Sequence, residues 1–373
     1  MHLADLNKKN TVKTISLFSG AGGLDVGAIQ AGAQIIWAND MVYDACKTYS
    51  NNIGDHIKCD DLNNCFEELS FIKNVDLVIG GPPCQGFSVA GKMDKDDQRS
   101  QLVWSFLKVI SIIKPKAFIM ENVKALAQLK RWENVREELL FKFRDLGYSV
   151  NFIVLNASDF NVPQSRERVF FIGFKGHPNI IPNLEEMTIC YKTKSKTVRQ
   201  VLQSLDKAGC GNNINTCNAK ITLAINPILR KSPYAGMIFN GLGRPLKLDG
   251  YSATLPASMG GNRTPIIDER ELYENKKSWV EDYHSKLIKD VTIALRTSVP
   301  LYLRRLTIEE AALLQTFPID YVFSGSQSSK YTQIGNAVPC NLAKSVAQMV
   351  IKVLEGEQKF IPIKENIQLT LNI

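Results

Sequence analysis

The 373-residue sequence predicts an α/β fold, a mainly parallel sheet with helices on both faces, joined to a smaller irregular domain. Three observations carry this. Short apolar runs alternate with amphipathic stretches through the first 175 residues, the pattern of repeated β–α–β units. From about Gly176 to residue 300 the chain becomes rich in Asn, Gly, Pro, Lys and Thr and loses clear periodicity. The length suits two domains, each large enough to bury its own core.

The elements follow in order. Thr14–Phe18 reads as a strand, the turn SGAGG follows, and a helix runs from about Leu24 to Ala31. Ile35–Ala38 is a second strand leading to Asp40, and Tyr43–Tyr49 begins a second helix. Asp76–Ile79 is a short, fully apolar strand running into GGPPC. Leu102–Ile113 reads as a helix that Pro115 closes, because proline cannot continue it. Ala117–Met120 is a strand ending at Glu121. Trp132–Leu146 is helical and stops at Gly147; Tyr148–Leu155 and Arg168–Phe174 form a strand pair near an edge. Late in the chain, Thr307–Gln315 is a helix capped by its threonine with Glu310 three residues on, and Asn341–Leu354 is a long amphipathic helix.

The charge is informative by its position. The net charge is +8, yet residues 175–300 hold 18 basic and 11 acidic side chains, so nearly all the excess lies in that block. Its most basic part, Lys192–Lys247, has ten basic residues against the single Asp206. No apolar run approaches the roughly 18 to 20 residues that span a bilayer, and the polar N-terminus lacks the apolar core of a secretory leader. A soluble cytoplasmic protein with no membrane association is expected. Eight cysteines in a chain this long do not form a disulfide framework, and most are expected to be buried small hydrophobes. No C-x-x-C occurs and the four histidines are scattered, so no metal site is expected.

Four segments could carry chemistry. SLFSGAGGLDVG puts small residues between the first strand and helix, which lets a ligand approach the backbone. It lacks the GK[ST] of a phosphate-binding loop and departs from G-x-G-x-x-G, so a nucleoside fits better than a dinucleotide. Asp40 ends the next strand, where an acid can hold both ribose hydroxyls or can cap the following helix. GGPPCQGFSVAG places Cys84 in a polar, bendable loop beyond a central strand, unlike a structural cysteine in an apolar run. Glu121 ends a strand that could neighbour this one, so thiol and carboxyl could share a pocket, with a raised pKa keeping the acid protonated; a helix-initiating acid is the alternative. In VPQSRERVFFIG the period-two spacing puts Arg166 and Arg168 on one face, suited to anion or base-edge recognition or to a solvated edge.

Taken together, FSGAGGLDVG, Asp40, PPCQGFS, ENV, QSRER, RRLTIEEAALLQTFP and QIGNAVP resemble, in content and order, the motifs of C5-cytosine DNA methyltransferases of the bacterial restriction-modification type. The resemblance covers the whole chain except roughly 176–300, where that family varies. It implies a Rossmann-like S-adenosylmethionine-dependent methyltransferase sheet over residues 1–185, completed by 331–373. A target-recognition domain would occupy 186–330. Phe18, Ser19, Gly20, Gly22 and Leu24 would form the cofactor loop, Asp40 the ribose partner, and Asp61 the adenine contact, with adjacent Asp60 leaving the register open. Asn336 and Ala337 would complete the cofactor pocket. Cys84 would be the nucleophile, Glu121 would hold cytosine N3 and the exocyclic amine, and Arg166 and Arg168 would support the ring, Arg168 at O2. Gln85, Ser88, Arg99, Arg244, Thr254 and Arg263 would contact DNA, with Thr254–Leu255 resembling the family's short Thr-Leu pair.

This residue set suits the chemistry that the resemblance implies. Cytosine C5 is a poor nucleophile, and a thiolate adding at C6 turns the ring into an enamine that is activated at C5. A hydrogen bond at N3 disperses the developing charge. The base must leave the duplex stack to be reached. The implied partner is double-stranded DNA, read by a monomer, and a cognate restriction endonuclease would be a functional partner rather than a bound one. Three other readings compete: a tRNA-cytosine methyltransferase of the same fold, a catalytically silent DNA-binding regulator, and a nicotinamide-dependent dehydrogenase. GFSVAG after PPCQ disfavours the first. Retention of Cys84, Glu121, Arg166 and Arg168 disfavours the second, and the imperfect glycine pattern the third.

Overall fold

The computed structural model describes residues 11–83 and 101–363, so Cys84, Gln85, Ser88 and Arg99 lie outside the described residues. The chain opens with β1 (Val12–Leu17), α1 (Gly23–Ala31), β2 (Ala33–Asp40), α2 (Tyr43–Asn52), β3 (Ile57–Cys59), α3 (Phe66–Phe71) and β4 (Leu77–Gly80). After α4 (Leu102–Ile113) come β5 (Ala117–Val123), α5 (Lys124–Gln128), α6 (Glu133–Asp145), β6 (Tyr148–Asn156), β7 (Gln164–Ser165) and β8 (Glu167–Lys175). These strands, apart from the short β7, build a seven-stranded sheet in the order β3-β2-β1-β4-β5-β8-β6. The first five are parallel, and β8 runs antiparallel to both β5 and β6. Strand order therefore reverses between β1 and β4, and the carboxyl ends of those strands flank the crevice where such sheets bind ligands.

The strand pattern follows from burial on both faces. Ile15 and Leu17 of β1 and Leu77, Val78 and Ile79 of β4 are all fully buried, as central parallel strands require. Two hydrophobic clusters lie on opposite faces of the sheet. One contains Val26, Ile79, Ile119 and Ile172, and the other Leu17, Val78, Phe118, Met120 and Phe171. Phe118 stacks on Phe143 of α6 with ring centroids 4.3 Å apart. α4 ends at Ile113 as expected, its chain turning through a left-handed Lys114 (φ 52°) before Pro115.

β5 differs from expectation in one respect that bears on the site. It continues three residues past Met120, because β8 extends the ladder as far as Val123 opposite Arg168. Glu121 is therefore a strand residue rather than a helix-initiating one.

The second half contains α7 (Leu184–Thr188), α8 (Val198–Leu202), β9 (Leu223–Ile228), β10 (Met237–Phe239), β11 (Ser252–Ala253), β12 (Ile266–Asp268), α9 (Glu269–Glu274), α10 (Trp279–Lys289) and β13 (Leu303–Arg305). A small separate core gathers Ile238, Phe239, Ile266, Val280, Tyr283, Leu287 and Leu303. α10 is not evident in the sequence although Val280, Tyr283, His284 and Leu287 keep helical spacing, because the polar, irregular stretches around it dilute the signal.

The chain then returns to the first half through α11 (Ile308–Leu314), α12 (Gln327–Asn336) and α13 (Cys340–Leu354). The Thr307–Glu310 capping box is present, and Glu310 also takes both terminal nitrogens of Arg304 at 2.6 and 2.8 Å. α13 packs on α1 so closely that a Cβ at Gly27 would meet the Cys340 carbonyl.

Cysteine burial departs from expectation. Cys46, Cys65 and Cys340 are buried, but Cys59, Cys190 and Cys210 are exposed, since they lie at strand ends and turns rather than on core faces. Among the described residues no helix is long and apolar enough to cross a membrane.

Candidate active site

Two groups of residues converge at the carboxyl ends of β1, β2, β4 and β5. The first is built on the glycine turn. Phe18, Gly20 and Gly22 all take left-handed backbone (φ 54°, 55° and 84°), which bends the chain sharply between β1 and α1. A Cβ on Gly20 would meet nothing within 4 Å, so this residue borders an open notch, whereas one on Gly22 would collide with Ile53 and the Tyr321 hydroxyl. Ser19 is buried and donates to Ser16 Oγ at 2.9 Å. Leu24 is buried in the core beneath the turn.

Asp40 sits across from this turn. Its Oδ2 accepts the Gly20 amide at 2.8 Å and its Oδ1 accepts the Val42 amide at 2.9 Å. The α2 cap itself is Val42, without a side-chain bond, so Asp40 is not a simple helix cap. Burial pushes the Asp40 carboxyl above its ordinary range. A carboxylate offers about four acceptor positions, so two amides leave capacity for a diol. Beside it Met41 and Tyr43 are 67% and 70% exposed, an apolar shelf that no motif in the sequence marks. An open notch, an acid with free lone pairs and an exposed apolar shelf suit a nucleoside.

Asp60 and Asp61 are both locally engaged. Asp60 accepts the Asp61 amide and the Asn64 side chain, and Asp61 caps the following turn through the Asn63 amide at 2.9 Å. The returning QIGNAVP segment reaches the glycine turn: a Cβ at Gly23 would lie 2.5 Å from the Val338 carbonyl and 3.0 Å from Ala337 Cβ. Asn336 is exposed at the end of α12.

Asp25 is an addition to the residues expected from the sequence. It is fully buried in the first turn of α1, accepts the Tyr49 hydroxyl at 3.0 Å, and burial raises its pKa to about 6. Tyr321 donates to the Ala21 carbonyl from the other side and so braces the same turn. An acid two residues after the glycine pair is the available signal for Asp25; nothing local marks Tyr321, which arrives from 300 residues away.

The second group centres on Glu121. Its Oε1 pairs with Arg168 Nε at 2.9 Å, and both side chains are mostly buried (12% and 15% exposed). Burial raises the Glu121 pKa, and the Arg168 and Arg166 guanidinium groups draw it back. The backbone leading toward Cys84 passes directly over this acid: a Cβ on Gly81 would lie 3.1 Å from Glu121 Oε2. Asn122 donates to the Pro82 carbonyl at 3.1 Å and pins the start of that loop.

The two arginines are used differently. Arg168 faces Glu121, while Arg166 is 1% exposed and donates to the backbone carbonyls of Leu255 (3.3 Å) and Gly335 (3.0 Å). Thr254 and Leu255 lie beside it. Thr254 Oγ1 donates to the Ser165 carbonyl at 3.0 Å, and the Leu255 amide donates to Gln164 Oε1 at 3.1 Å. Gln164 passes this contact to Gln315 (3.1 Å), whose amide reaches the Ile334 carbonyl at 2.8 Å. Four segments separated by up to about 170 residues thus meet in one buried hydrogen-bonded chain, which spacing alone could not reveal. Arg244 and Arg263 are exposed on the second half, with Arg263 donating to Ser258 at 3.2 Å.

The chain is similar to known proteins along most of its length. Residues 12–352 match the model of the C-5 cytosine-specific DNA methylase family. The chain is 33% identical over 354 residues to the type II methyltransferase M1.HphI of Haemophilus parahaemolyticus, covering 92% of this chain and 87% of the relative. It is 32% identical over 351 residues to the type II methyltransferase M.FnuDI of Fusobacterium nucleatum, covering 93% and 96%. Its fold is similar to that of the Entamoeba histolytica methyltransferase EhMeth, with a TM-score of 0.63 at 20% identity over 92% of this chain and 99% of that one. The chain belongs to the C-5 cytosine-specific DNA methylase family and is a DNA cytosine-5-methyltransferase.

Proposed function

We propose that this enzyme methylates C5 of a cytosine flipped out of a specific double-stranded DNA sequence, through a covalent bond between Cys84 and C6. S-adenosylmethionine, when bound, supplies the methyl group. The observation that carries this reading is the Glu121–Arg168 pair, set beneath the backbone that leads to Cys84 and beside the strand-order reversal.

Each residue has a task. Asp40, with the notch at Gly20, holds the cofactor's ribose, and the turn from Phe18 to Leu24 lines its remaining length. Asp61 reaches the adenine edge, and Asn336 and Ala337 close the pocket from α12. Glu121, raised by burial, donates to cytosine N3 and takes the exocyclic amine. Arg168 turns from Glu121 to the base O2. Arg166 steadies the Glu121 charge and fixes Leu255 and Gly335 around it. Gln85, Ser88 and Arg99 meet DNA from the Cys84 loop.

The basic second half, 186–330, is the target-recognition domain in this reading, and 1–185 with 331–373 the catalytic domain. Arg244, Thr254 and Arg263 contact DNA there, and exposed lysines such as Lys194 and Lys231 neutralise phosphate. The protein acts as a cytoplasmic monomer that protects host DNA in a restriction-modification system, without a metal.

The test is a DNA duplex carrying 5-fluorocytosine at the methylated position. Because fluorine at C5 cannot leave as a proton, the enzyme and S-adenosylmethionine should give a covalent protein–DNA species that survives denaturation. Turnover on the normal site with no trapped species would overturn the covalent route.

A further inference from the structure

Two cysteines that methyl transfer does not use lie together at the edge of the cofactor region. Cys59 closes β3, and the parallel ladder sets it opposite Asp40. Cys46 lies in the first turn of α2 with its thiol donating to the Asp40 carbonyl at 3.3 Å. Both residues therefore flank the Asp40 peptide, Cys59 from the neighbouring strand and Cys46 from the helix that follows. Cys46 is 5% exposed, whereas Cys59 is exposed to solvent. An accessible thiol with a sheltered partner beside it is the arrangement of a redox-sensing cysteine and its resolving cysteine.

We propose that Cys46 and Cys59 form a reversible disulfide by exchange with a low-molecular-weight disulfide, and that closing it weakens cofactor binding at Asp40. The regulatory half rests on the cofactor reading above; the disulfide itself does not.

The exchange balances in two steps. The Cys59 thiolate attacks one sulfur of the small disulfide, forming a mixed disulfide and releasing one small thiolate. The Cys46 thiolate then attacks the Cys59 sulfur, closing the protein disulfide and releasing the second thiolate. The two protons lost by the cysteines end on the two small thiols. The protein is oxidised by two electrons and the small disulfide is reduced by two.

The order of attack follows from the surroundings. Burial pushes the Cys46 thiol well above its ordinary range, and the Cys59 side chain and Asp40 carboxylate push it further. Cys46 is thus a poor first nucleophile.

The consequence reaches the cofactor through short links. A Cys46–Cys59 bond takes the S–H donor away from the Asp40 carbonyl. It also ties the first turn of α2 to β3, within the narrow Cα separation a disulfide accepts. The Cys46 amide bonds the Val42 carbonyl at 2.9 Å, and the Val42 amide bonds Asp40 Oδ1. Moving that turn therefore shifts the carboxylate that faces Gly20.

The test uses the whole, reduced protein incubated with oxidised glutathione, then digested without reduction and mapped by mass spectrometry. S-adenosylmethionine affinity is measured by calorimetry on the same samples. The proposal expects a Cys46–Cys59 peptide pair, with cofactor binding weaker by about tenfold, the effect of losing one good hydrogen bond to a charged group. Dithiothreitol should restore binding, and Cys59→Ser should bind as the reduced protein does before and after oxidant. A persistent glutathione adduct on Cys59, or a bond from Cys59 to Cys65, overturns the pairing. A closed Cys46–Cys59 bond with unchanged affinity overturns the regulation. Reduced protein that binds no cofactor marks a failure of the cofactor reading, takes the regulatory half with it, and leaves the peptide map to decide the disulfide.

Discussion

Arg168 Nε lies 2.9 Å from Glu121 Oε1, and this pair is the electrostatic centre of the proposed base pocket. Burial raises the Glu121 carboxyl, while Arg168 and then Arg166 lower it. Removing Arg168 leaves burial less opposed. In Arg168→Leu the Glu121 carboxyl should titrate at higher pH than in wild type, as read by NMR of labelled glutamate carboxyls. Methyl transfer should fall by about 10²-fold, the usual effect of removing one transition-state donor. A Glu121 titration that stays put or moves down would show that the ion pair does not set its charge.

Arg166 should behave as a framework residue. It is 1% exposed and holds two backbone carbonyls from distant segments. Arg166→Met should cost about 3 kcal/mol of stability in urea unfolding, since two buried acceptors lose their donors. A loss under about 0.5 kcal/mol, the range of ordinary surface changes, would remove this role.

The glycine turn separates folding from binding. Gly20 has positive φ but open space where a side chain would project. Gly20→Ala should therefore fold with a cost of about 1 kcal/mol for left-handed alanine. Its S-adenosylmethionine affinity should drop much more than its DNA affinity, because the added methyl enters the notch. Equal loss of both, measured by calorimetry and by DNA gel shift, would place the notch outside the cofactor site.

Asp25 makes stability depend on pH. Its pKa rises from 3.8 unfolded to about 6 folded, so the native state binds more protons between those values. The stabilisation it gives is complete below about pH 4 and is lost as pH rises through 6. Asp40 and Glu121 shift in the same direction and add to the slope. Asp25→Asn should flatten the fall in unfolding free energy between about pH 4.5 and 7.5, which urea titrations at the two pH values would read. An unchanged slope would mean that Asp25 does not carry this proton.

Much of this was legible in the sequence because the sheet is buried on both faces and its punctuation is local. The β1–glycine turn–α1 unit, the apolar β4 and the Pro115 stop each depend on neighbouring residues only. Glu121 and Arg168 stand out by their place near strand ends. Their ion pair does not, since it depends on β5 outlasting Met120 to match β8. Period two groups Arg166 with Arg168, which holds along a strand, but β8 begins only at Glu167, after Arg166. The buried Gln164–Gln315 contact and Tyr321 beneath the glycine turn arise from long-range return of the chain, which no local pattern encodes.

The basic block offers a prediction on affinity. Arg199 is held by Asp249 and Glu271, so its charge is spent within the protein, whereas Lys194, Lys196 and Lys231 are exposed. Replacing these three by alanine should weaken DNA binding and flatten its salt dependence by about 0.9 in log–log slope for each phosphate that is no longer neutralised. Cofactor affinity should not change. An unaltered slope would move the DNA surface elsewhere.

The Cys84 thiol is proposed as the nucleophile of a DNA cytosine methyl transfer that uses S-adenosylmethionine. This role is tested most directly by following labelled methyl from S-adenosylmethionine into duplex DNA with wild type and Cys84→Ser, both confirmed folded by circular dichroism. Wild type should deposit 5-methylcytosine at one fixed sequence, and Cys84→Ser should deposit none above background. Equal labelling by the two proteins would contradict the account.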